Sequence, residues 1–495
     1  RLVGRLLELA WLYFPLVPLG LLALLADRFD APLTLGVSFG IVDWKTKDWT
    51  AAWLSLLLRN VQRSGPVFVK LAQWAATRPD FLPEAVCQAL GQLQDRTEPH
   101  SLEHTHGILD ESFSRESWSQ IFLIEPEPIG SGCIAQVYRG IAQVPDGGPA
   151  GSSMPEGCGV GGLWQLVRGS RRSPPRQGAM RAVSVAVKVI HPQVRRAVDL
   201  DLRFLQAAAW LVDRLGFESL GVSLALRQFV GFLAVQADFT VEAKNLVTFR
   251  GHFGAGGDAV VVPKVFYPWV SANVLVMSFE EGEPLSSLLD ARRAAADGGG
   301  EEEVLSPRSL AKSRKEAWTQ IVDAFWAMVF KHRFVHGDMH PGNILVQLGK
   351  EQKLRLVLID CGLAVDLGGD AGEDLATMVK AFLTESEEQV ATLLMSLGER
   401  VGGRIEDVKD PDGFVRGIAD LIREAKASAF RLSKLNAGAL MGRSLLLGRK
   451  HHVRFDARFV NLMVAMTVLQ GVAMSLNPDG DFLSRMTPYL FGRAM

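Results

Sequence analysis

The residues able to do chemistry are concentrated in His336-Gly337-Asp338-Met339-His340-Pro341-Gly342-Asn343 and, just beyond, Leu358-Ile359-Asp360-Cys361-Gly362. An Asp followed five positions later by an Asn, then an apolar run ending in Asp-x-Gly, suits phosphoryl transfer. Asp338 can orient or deprotonate an attacking hydroxyl. Asn343 and Asp360 offer hard oxygen ligands for Mg2+ on nucleotide phosphates. The runs 343–347 and 354–359 read as two strands of a hairpin, which would hold both metal ligands at one end of a sheet. His332, His336 and His340 recur every four residues, but a zinc site there needs one unbroken helix, and Gly337 and Pro341 argue against it.

Asp, Asn and Asp at these distances have the spacing of a protein-kinase catalytic core, which also needs a phosphate-covering loop and a lysine. Gly130-Ser131-Gly132-Cys133-Ile134-Ala135-Gln136-Val137 follows G-x-G-x-x-A-x-V, and its glycines let the backbone approach phosphate oxygens. By itself such a stretch is also an ordinary hairpin tip. Residues 183–190 alternate as a strand ending in Val-Lys-Val-Ile, so Lys188 is placed to grip the α- and β-phosphates. The helical run 227–249 supplies Glu242 as the ion-pair partner of Lys188, with Asp238 one turn earlier facing Lys70. Solvent or a nearby lysine is the alternative partner for Glu242. Strands at 260–263 and 274–277 end at Met277, which would line the nucleotide pocket, and 278–282 would be the hinge between two lobes.

Upstream, the helical region 48–80 places Lys70 and Gln73 on one face among apolar residues, where they need polar partners. A lysine snorkelling from a core edge fits the same spacing. Residues 6–26 are nearly all apolar; as one helix they would cover about 30 Å, enough for a bilayer core. Membrane association is the favoured expectation, with a buried helix broken at Pro15 and Pro18 as the alternative. Two stretches without periodicity, about 143–182 and 290–314, read as insertions. The basic residues of the first (Arg168, Arg171, Arg172, Arg176) suit a solvated loop better than a lipid contact. An amphipathic helix at 315–331 leads into the catalytic loop, and helical patterns at 373–398, 411–430, 436–447 and 455–476 follow. The apolar stretch 459–476 reads as core rather than membrane.

At 495 residues, 48% hydrophobic and with a formal net charge of -1, the chain suits a large folded protein without a basic nucleic-acid face. Its four cysteines form no C-x-x-C pair, so neither a disulfide framework nor a zinc ribbon is expected.

Taken together, these stretches resemble the UbiB-like, aarF-domain atypical kinases from about residue 65 to 489, in particular a mitochondrial branch. Val69-Lys70-Leu71-Ala72-Gln73 is similar to that family's K-x-G-Q helix, Gln236-Ala237-Asp238 to its E-x-D motif, and Ser475-Leu476-Asn477-Pro478-Asp479 to its Leu-Asp-Pro turn. The resemblance implies an α+β, bilobal kinase-like fold, with an N-terminal helical extension over the nucleotide cleft and an α-rich C-terminal lobe. It divides the chain into an apolar membrane-associated segment (1–30), the helical extension (31–120), a small lobe (121–282) and a large lobe (283–495). It also implies ATP or ADP with Mg2+, the mitochondrial inner membrane, and support of coenzyme Q biosynthesis through partner proteins or a lipid-like substrate. Ala72 and Gln236 depart from the family's glycine and glutamate, and Gly130-Ser131-Gly132-Cys133 departs from its alanine-rich loop. ATP hydrolysis or small-molecule phosphorylation is the expectation. A nucleotide-gated scaffold and a conventional Ser/Thr protein kinase are the alternatives.

Overall fold

A computed structural model of the chain describes residues 2–16, 18–20, 49–76, 99–145, 180–192, 194–214, 236–254, 259–289, 307–348, 353–400, 408–428, 437–453, 455–482 and 484–490. Residues 86, 89, 90, 93, 226, 229–231, 233 and 406 are described besides. The arginine cluster at 168–176, the interior of both expected insertions and the end of the apolar segment at 21–26 lie outside the described residues.

The N-terminal segment forms helix α1 (Leu2–Tyr13), and a turn at Phe14 and Pro15 follows it. An uninterrupted helix over 6–26 is therefore not what forms: the 12 residues of α1 reach only about 18 Å. Leu9, Leu12 and Leu16 are buried, whereas Trp11 and Phe14 are 83% and 78% exposed. Polar contacts fix the buried side. Arg5 forks onto Asp201 at 2.8 and 3.0 Å, and Asn60 Nδ2 donates to the Leu12 carbonyl. The region expected as one helix over 48–80 is two, α2 (Trp49–Arg63) and α3 (Pro66–Ala76). Gly65 joins them at φ +94°, a conformation that only glycine adopts readily.

Two short helices, α4 (Leu102–Ser112) and α5 (Arg115–Trp118), lead into the small-lobe sheet. Its strands are β1 (Ile121–Ile124), β2 (Gly130–Ser131), β3 (Ala135–Pro145) and β4 (Met180–Ile190). Helices α6 (Val194–Arg214) and α7 (Phe239–Phe253) follow, then β5 (Val260–Val261), β6 (Val265–Val270) and β7 (Val274–Ser278). The order is β1-β3-β4-β7-β6, antiparallel throughout, with β2 on β3. Strands β3 and β4 pair out to Pro145 and Met180, so both edges of the first expected insertion are strand. Alternation along β4 sends Val185, Val187 and Val189 into a core with Tyr138 and Trp269, and turns Lys188 to the opposite face.

The large lobe begins at β8 (Glu283–Pro284), followed by α8 (Pro307–Trp326) and a π-helical turn, Ala327–His332. Helix α8 starts seven residues earlier than the second insertion's expected end, with Pro307 as its first residue. Strands β9 (Phe334–His336), β10 (Ile344–Leu348), β11 (Leu354–Leu358) and β12 (Ala364–Asp366) come next. The expected hairpin is β10–β11, and β5 joins it in parallel on β11 rather than entering the small-lobe sheet. That pairing ties the two lobes' backbones together.

Helices α9 (Asp370–Thr384), α10 (Glu387–Arg400), α11 (Pro411–Ser428), α12 (Ala437–His451), α13 (Ala457–Leu476) and α14 (Thr487–Leu490) complete the chain. The first two replace the single helix expected over 373–398. Helix α13 is long and apolar enough to cross a membrane, yet Leu462, Ala465, Leu469, Val472 and Leu476 are buried in the main core. Arg314, itself buried, donates to the carbonyls of Ser475 and Leu476 at the end of α13, where uncapped carbonyls favour a cation.

Candidate functional site

A cavity of about 570 Å3 opens between the lobes, within the size range of small-molecule sites. Gly130, Ser131, Gly132, Ile134 and Val137 form its roof and Met277 its inner wall, with Asp338, Asn343 and Asp360 on the large-lobe side. Residues separated by more than two hundred positions in the sequence thus share one space. Cys133, at the loop tip, is buried with Val61, Val69 and Ala72 of α2 and α3, so the helical extension rests on the loop.

Lys188 is the junction of the site. Its Nζ lies 2.9 Å from each oxygen of Glu242 and 2.9 Å from Asp360 Oδ2. Strand β4 delivers the lysine, the first turn of α7 the glutamate, and the end of β11 the aspartate. Burial alone would lower the Lys188 pKa, but the charges of Asp360 and Glu242 outweigh it and raise it. Burial pushes Glu242 up to about 7, against the pull of Lys188 and with Asp360 adding to the rise. Burial would also raise Asp360, but Lys188 and the Gly362 N–H hold it well below the usual carboxylate range. One carboxylate is therefore firmly ionised and the other is close to proton uptake.

His336, given from sequence as the first residue of the chemistry-bearing stretch and set aside as a zinc ligand, organises the 336–343 loop. Its Nε2 lies 2.6 Å from the Asp360 carbonyl, and its Nδ1 accepts the Asp338 N–H at 3.1 Å. A carbonyl only accepts, so Nε2 carries the proton and the ring is neutral. Burial lowers its pKa, in the same sense. Asn343 Nδ2 donates to the Asp338 carbonyl at 3.0 Å and lies 3.3 Å from its carboxylate. Asn245 Nδ2 donates to the Cys361 carbonyl at 2.8 Å, anchoring the Asp-x-Gly turn to α7. Sequence spacing gave no sign of Asn245 or of His336 in this role, because both act through main-chain carbonyls. Cys361 is buried, and burial raises its thiol pKa well above the usual value, so it is a packed side chain.

The donor set fits a hard divalent cation. Asp360 is anionic and the Asn343 amide is turned so that its nitrogen faces Asp338, leaving its oxygen available. Two protein oxygens completed by phosphate and water are what Mg2+ usually takes in nucleotide sites. The Ser131 hydroxyl, at the roof, is buried and makes no hydrogen bond within the protein.

The cleft-covering residues are only partly where spacing put them. Lys70 and Gln236 line the cavity, whereas Gln73 and Asp238 are not among its lining residues. Gln73 Nε2 donates to the Leu93 carbonyl at 3.1 Å. Asp238 is not inside a continuous helix over 227–249; it is the N-cap of α7, extended at φ -126°, and its Oδ1 accepts from the Thr240 N–H and hydroxyl. Capping satisfies an amide that α7's first turn would otherwise leave open, which is why an aspartate there stops the helix instead of continuing it. The residue sharing the cavity with Lys70 is accordingly Gln236, whose buried Oε1 makes no hydrogen bond within the protein.

Residues 179–394 match the family model of the ABC1 atypical kinase-like domain. Two mitochondrial ABC1 family proteins are similar to 88% of this chain, one of Schizosaccharomyces pombe at 27% identity and one of Saccharomyces cerevisiae at 26%. A probable serine/threonine-protein kinase of Dictyostelium discoideum is 23% identical over 88% of the chain. The alignments span 65%, 67% and 64% of these relatives' own lengths. A solved Mycobacterium tuberculosis protein, in complex with erythromycin, aligns over 87% of this chain and 95% of its own at 18% identity and a TM-score of 0.46. The family resemblance of the sequence is borne out at the level of a domain: residues 179–394 of this chain match the ABC1 atypical kinase-like domain.

Proposed function

We propose that the chain binds a magnesium nucleotide, ATP or ADP, in the interlobe cavity and acts on the terminal phosphoryl group of ATP. The observation that carries this reading is the meeting of Lys188, Glu242 and Asp360 at 2.9 Å contacts on the wall of a cavity that Asp338 and Asn343 also line. Lys188 would hold the α- and β-phosphates, and Glu242 would keep its ammonium pointed at them. The amides of Gly130, Ser131 and Gly132 would cover the phosphates. Asn343 and Asp360 would hold Mg2+, which when bound offsets phosphate charge. Asp338, oriented by His336 and Asn343, would position a water or hydroxyl and accept its proton.

Lys70 of α3 lines the cavity and α3 packs on the glycine-rich loop, which would crowd a polypeptide substrate and favours hydrolysis or a small, lipid-like acceptor over protein phosphorylation. The mitochondrial relatives support residence in the mitochondrion, and support of coenzyme Q biosynthesis is the process that the sequence resemblance implies. The exposed Leu7 and Trp11 on α1, with Phe14 in the turn that follows, support contact with the membrane interface, where aromatic rings are favoured. A second reading, a nucleotide-gated scaffold with little turnover, draws on the Lys188–Asp360 contact, which engages the metal-binding carboxylate.

The experiment is thermal denaturation with MgATP and with MgADP. Wild type should be stabilised by about 3 kcal/mol at a hundredfold excess over Kd, and Asp360→Asn should lose most of that gain. No stabilisation by either nucleotide would end the proposal. Stabilisation without phosphate release would favour the scaffold.

A further inference from the structure

Behind the glycine-rich loop lies a hydrogen-bonded histidine pair that the nucleotide reading does not use. His191, directly after β4, holds the loop twice. Its main-chain N–H donates to the Ile134 carbonyl at 2.9 Å, and its ring Nε2 lies 2.8 Å from the Gly132 carbonyl. Since that carbonyl can only accept, Nε2 of His191 bears the proton and Nδ1 is a bare acceptor. His100 Nδ1 is 2.8 Å from it, so His100 must be the donor across this contact. In neutral His100 the remaining Nε2 is then an acceptor, with the Thr105 hydroxyl at 3.0 Å.

The far end of this chain is rigid. Thr105, on α4, is fully buried and shares a 2.9 Å hydrogen bond with the Tyr138 hydroxyl on β3. Gln136 clamps the His100 backbone from both sides, accepting its N–H at 2.9 Å and donating to its carbonyl at 3.0 Å. Every tautomer in the series is thus determined by the Gly132 carbonyl. The pair contact tolerates no extra proton on His191, which would point two N–H groups at each other across 2.8 Å; a proton added to His100 would fall on Nε2 and turn the Thr105 hydroxyl from donor to acceptor.

We propose that His191, backed by His100, is a positioning residue that holds the Gly132 carbonyl and so presents the loop amides to nucleotide phosphates in a fixed orientation. This rests on the nucleotide reading of the cavity. It adds to it a tether that links the loop to α4 and to the base of β3. The groups acting on His100 are its own burial, His191 and His104, all of which disfavour the cation. For His191, burial disfavours the cation and the Gly132 carbonyl favours it.

The test compares His191→Phe, which keeps a ring but no donor, with His191→Gln, whose amide N–H can still reach Gly132. His100→Phe removes the backing donor alone. Hydrogen exchange of the amides at 130–134, measured without nucleotide, should be about fivefold faster in His191→Phe, the equivalent of about 1 kcal/mol, one ordinary hydrogen bond. His191→Gln should restore most of the protection, and His100→Phe should fall between. With MgATP, His191→Phe should raise KM by a similar factor while kcat changes little, because the reacting groups sit on the large lobe. Equal loop exchange in wild type and His191→Phe would overturn the tether. If wild type binds no nucleotide, the functional reading fails, and the exchange comparison still decides the tether on its own.

Discussion

The ring of His336 lies with its Nε2 2.6 Å from the main-chain carbonyl of Asp360, and that contact ties the 336–343 loop to the Asp360-Cys361-Gly362 turn. The same ring accepts the Asp338 N–H, so a single imidazole sets the distance between the two acidic residues. His336→Phe keeps the volume and removes both contacts. Leaving two buried main-chain groups unpaired should cost about 1–3 kcal/mol each in urea unfolding. Turnover should fall by about a hundredfold, as expected for misplacement of reacting groups. Unchanged turnover would show that Asp338 and Asp360 need no such link.

Lys188 and Glu242 should behave as a pair. Lys188→Met leaves the Glu242 side chain, 3% exposed, without its partner and should destabilise the protein by roughly 3 kcal/mol, limited by proton uptake on Glu242. The nucleotide-dependent thermal shift should vanish. Adding Glu242→Gln should recover part of the stability and none of the shift; recovery of both would remove Lys188 from the phosphate site.

Gly337 has no room for a side chain: a Cβ there would fall 2.6 Å from Leu363 Cγ and Cδ2. The Gly337 N–H also donates to the Leu363 carbonyl at 2.9 Å, so the backbone cannot simply retreat. Gly337→Ala should cost about 1–3 kcal/mol through overpacking. A compensating Leu363→Ala should return turnover more fully than stability, since it leaves a void. Gly337→Ala with wild-type melting would contradict the close approach.

Acid should weaken the fold above the usual carboxylate range. His100 and His332 are lowered from 6.5 to about 4, mainly by burial, and His336 is lowered too. These rings stay neutral in the fold while the unfolded chain takes up protons near 6.5, so their contribution is complete above that pH and is lost as pH falls toward about 4. Glu242 acts in the opposite sense: raised from 4.5 to about 7, its contribution is full at low pH and declines as pH rises through that interval. Melting temperature followed from pH 7.5 to 5 should drop less steeply in His100→Phe than in wild type. Parallel curves would deny His100 a part in it.

The docking of α1 depends on a buried charge. Asp201, 1% exposed, is held by the Arg5 fork. Burial raises its pKa despite Arg5. Arg5→Ala should cost about 3 kcal/mol in chemical denaturation, and Arg5→Ala with Asp201→Asn together should cost less. Release of α1 would appear as faster exchange of amides 5–13. Unaltered exchange there would mean that Leu9, Leu12 and Leu16 hold the helix by themselves.

Much of the site was legible in the linear chain because its members carry the chemistry in their own side chains. Asp338, Asn343 and Asp360 announce themselves by type and spacing, and Lys188 by its place on an alternating strand. What spacing misjudged was local competition. At Asp238, capping a helix outcompeted continuing one, and that moved the carboxylate out of the cleft lining. At Gly65, a left-handed backbone turned one helical region into two. At Pro15, the apolar segment broke, and its first helix found a buried partner in Asp201, nearly two hundred residues away.

What the residue order determined by itself was the set of candidate site residues, the strands that carry them and the resemblance to the ABC1 atypical kinase-like domain, since these depend on short-range pattern and on side-chain chemistry. Tertiary structure alone decided the remaining meetings: Lys188 with Asp360 as well as Glu242, His336 with the Asp360 carbonyl, His191 with His100 and the glycine-rich loop. The histidine contacts run through main-chain carbonyls and ring tautomers, which leave no periodicity and no motif. They exist only once the lobes pair through β5 and β11 and burial makes each unpartnered polar atom costly.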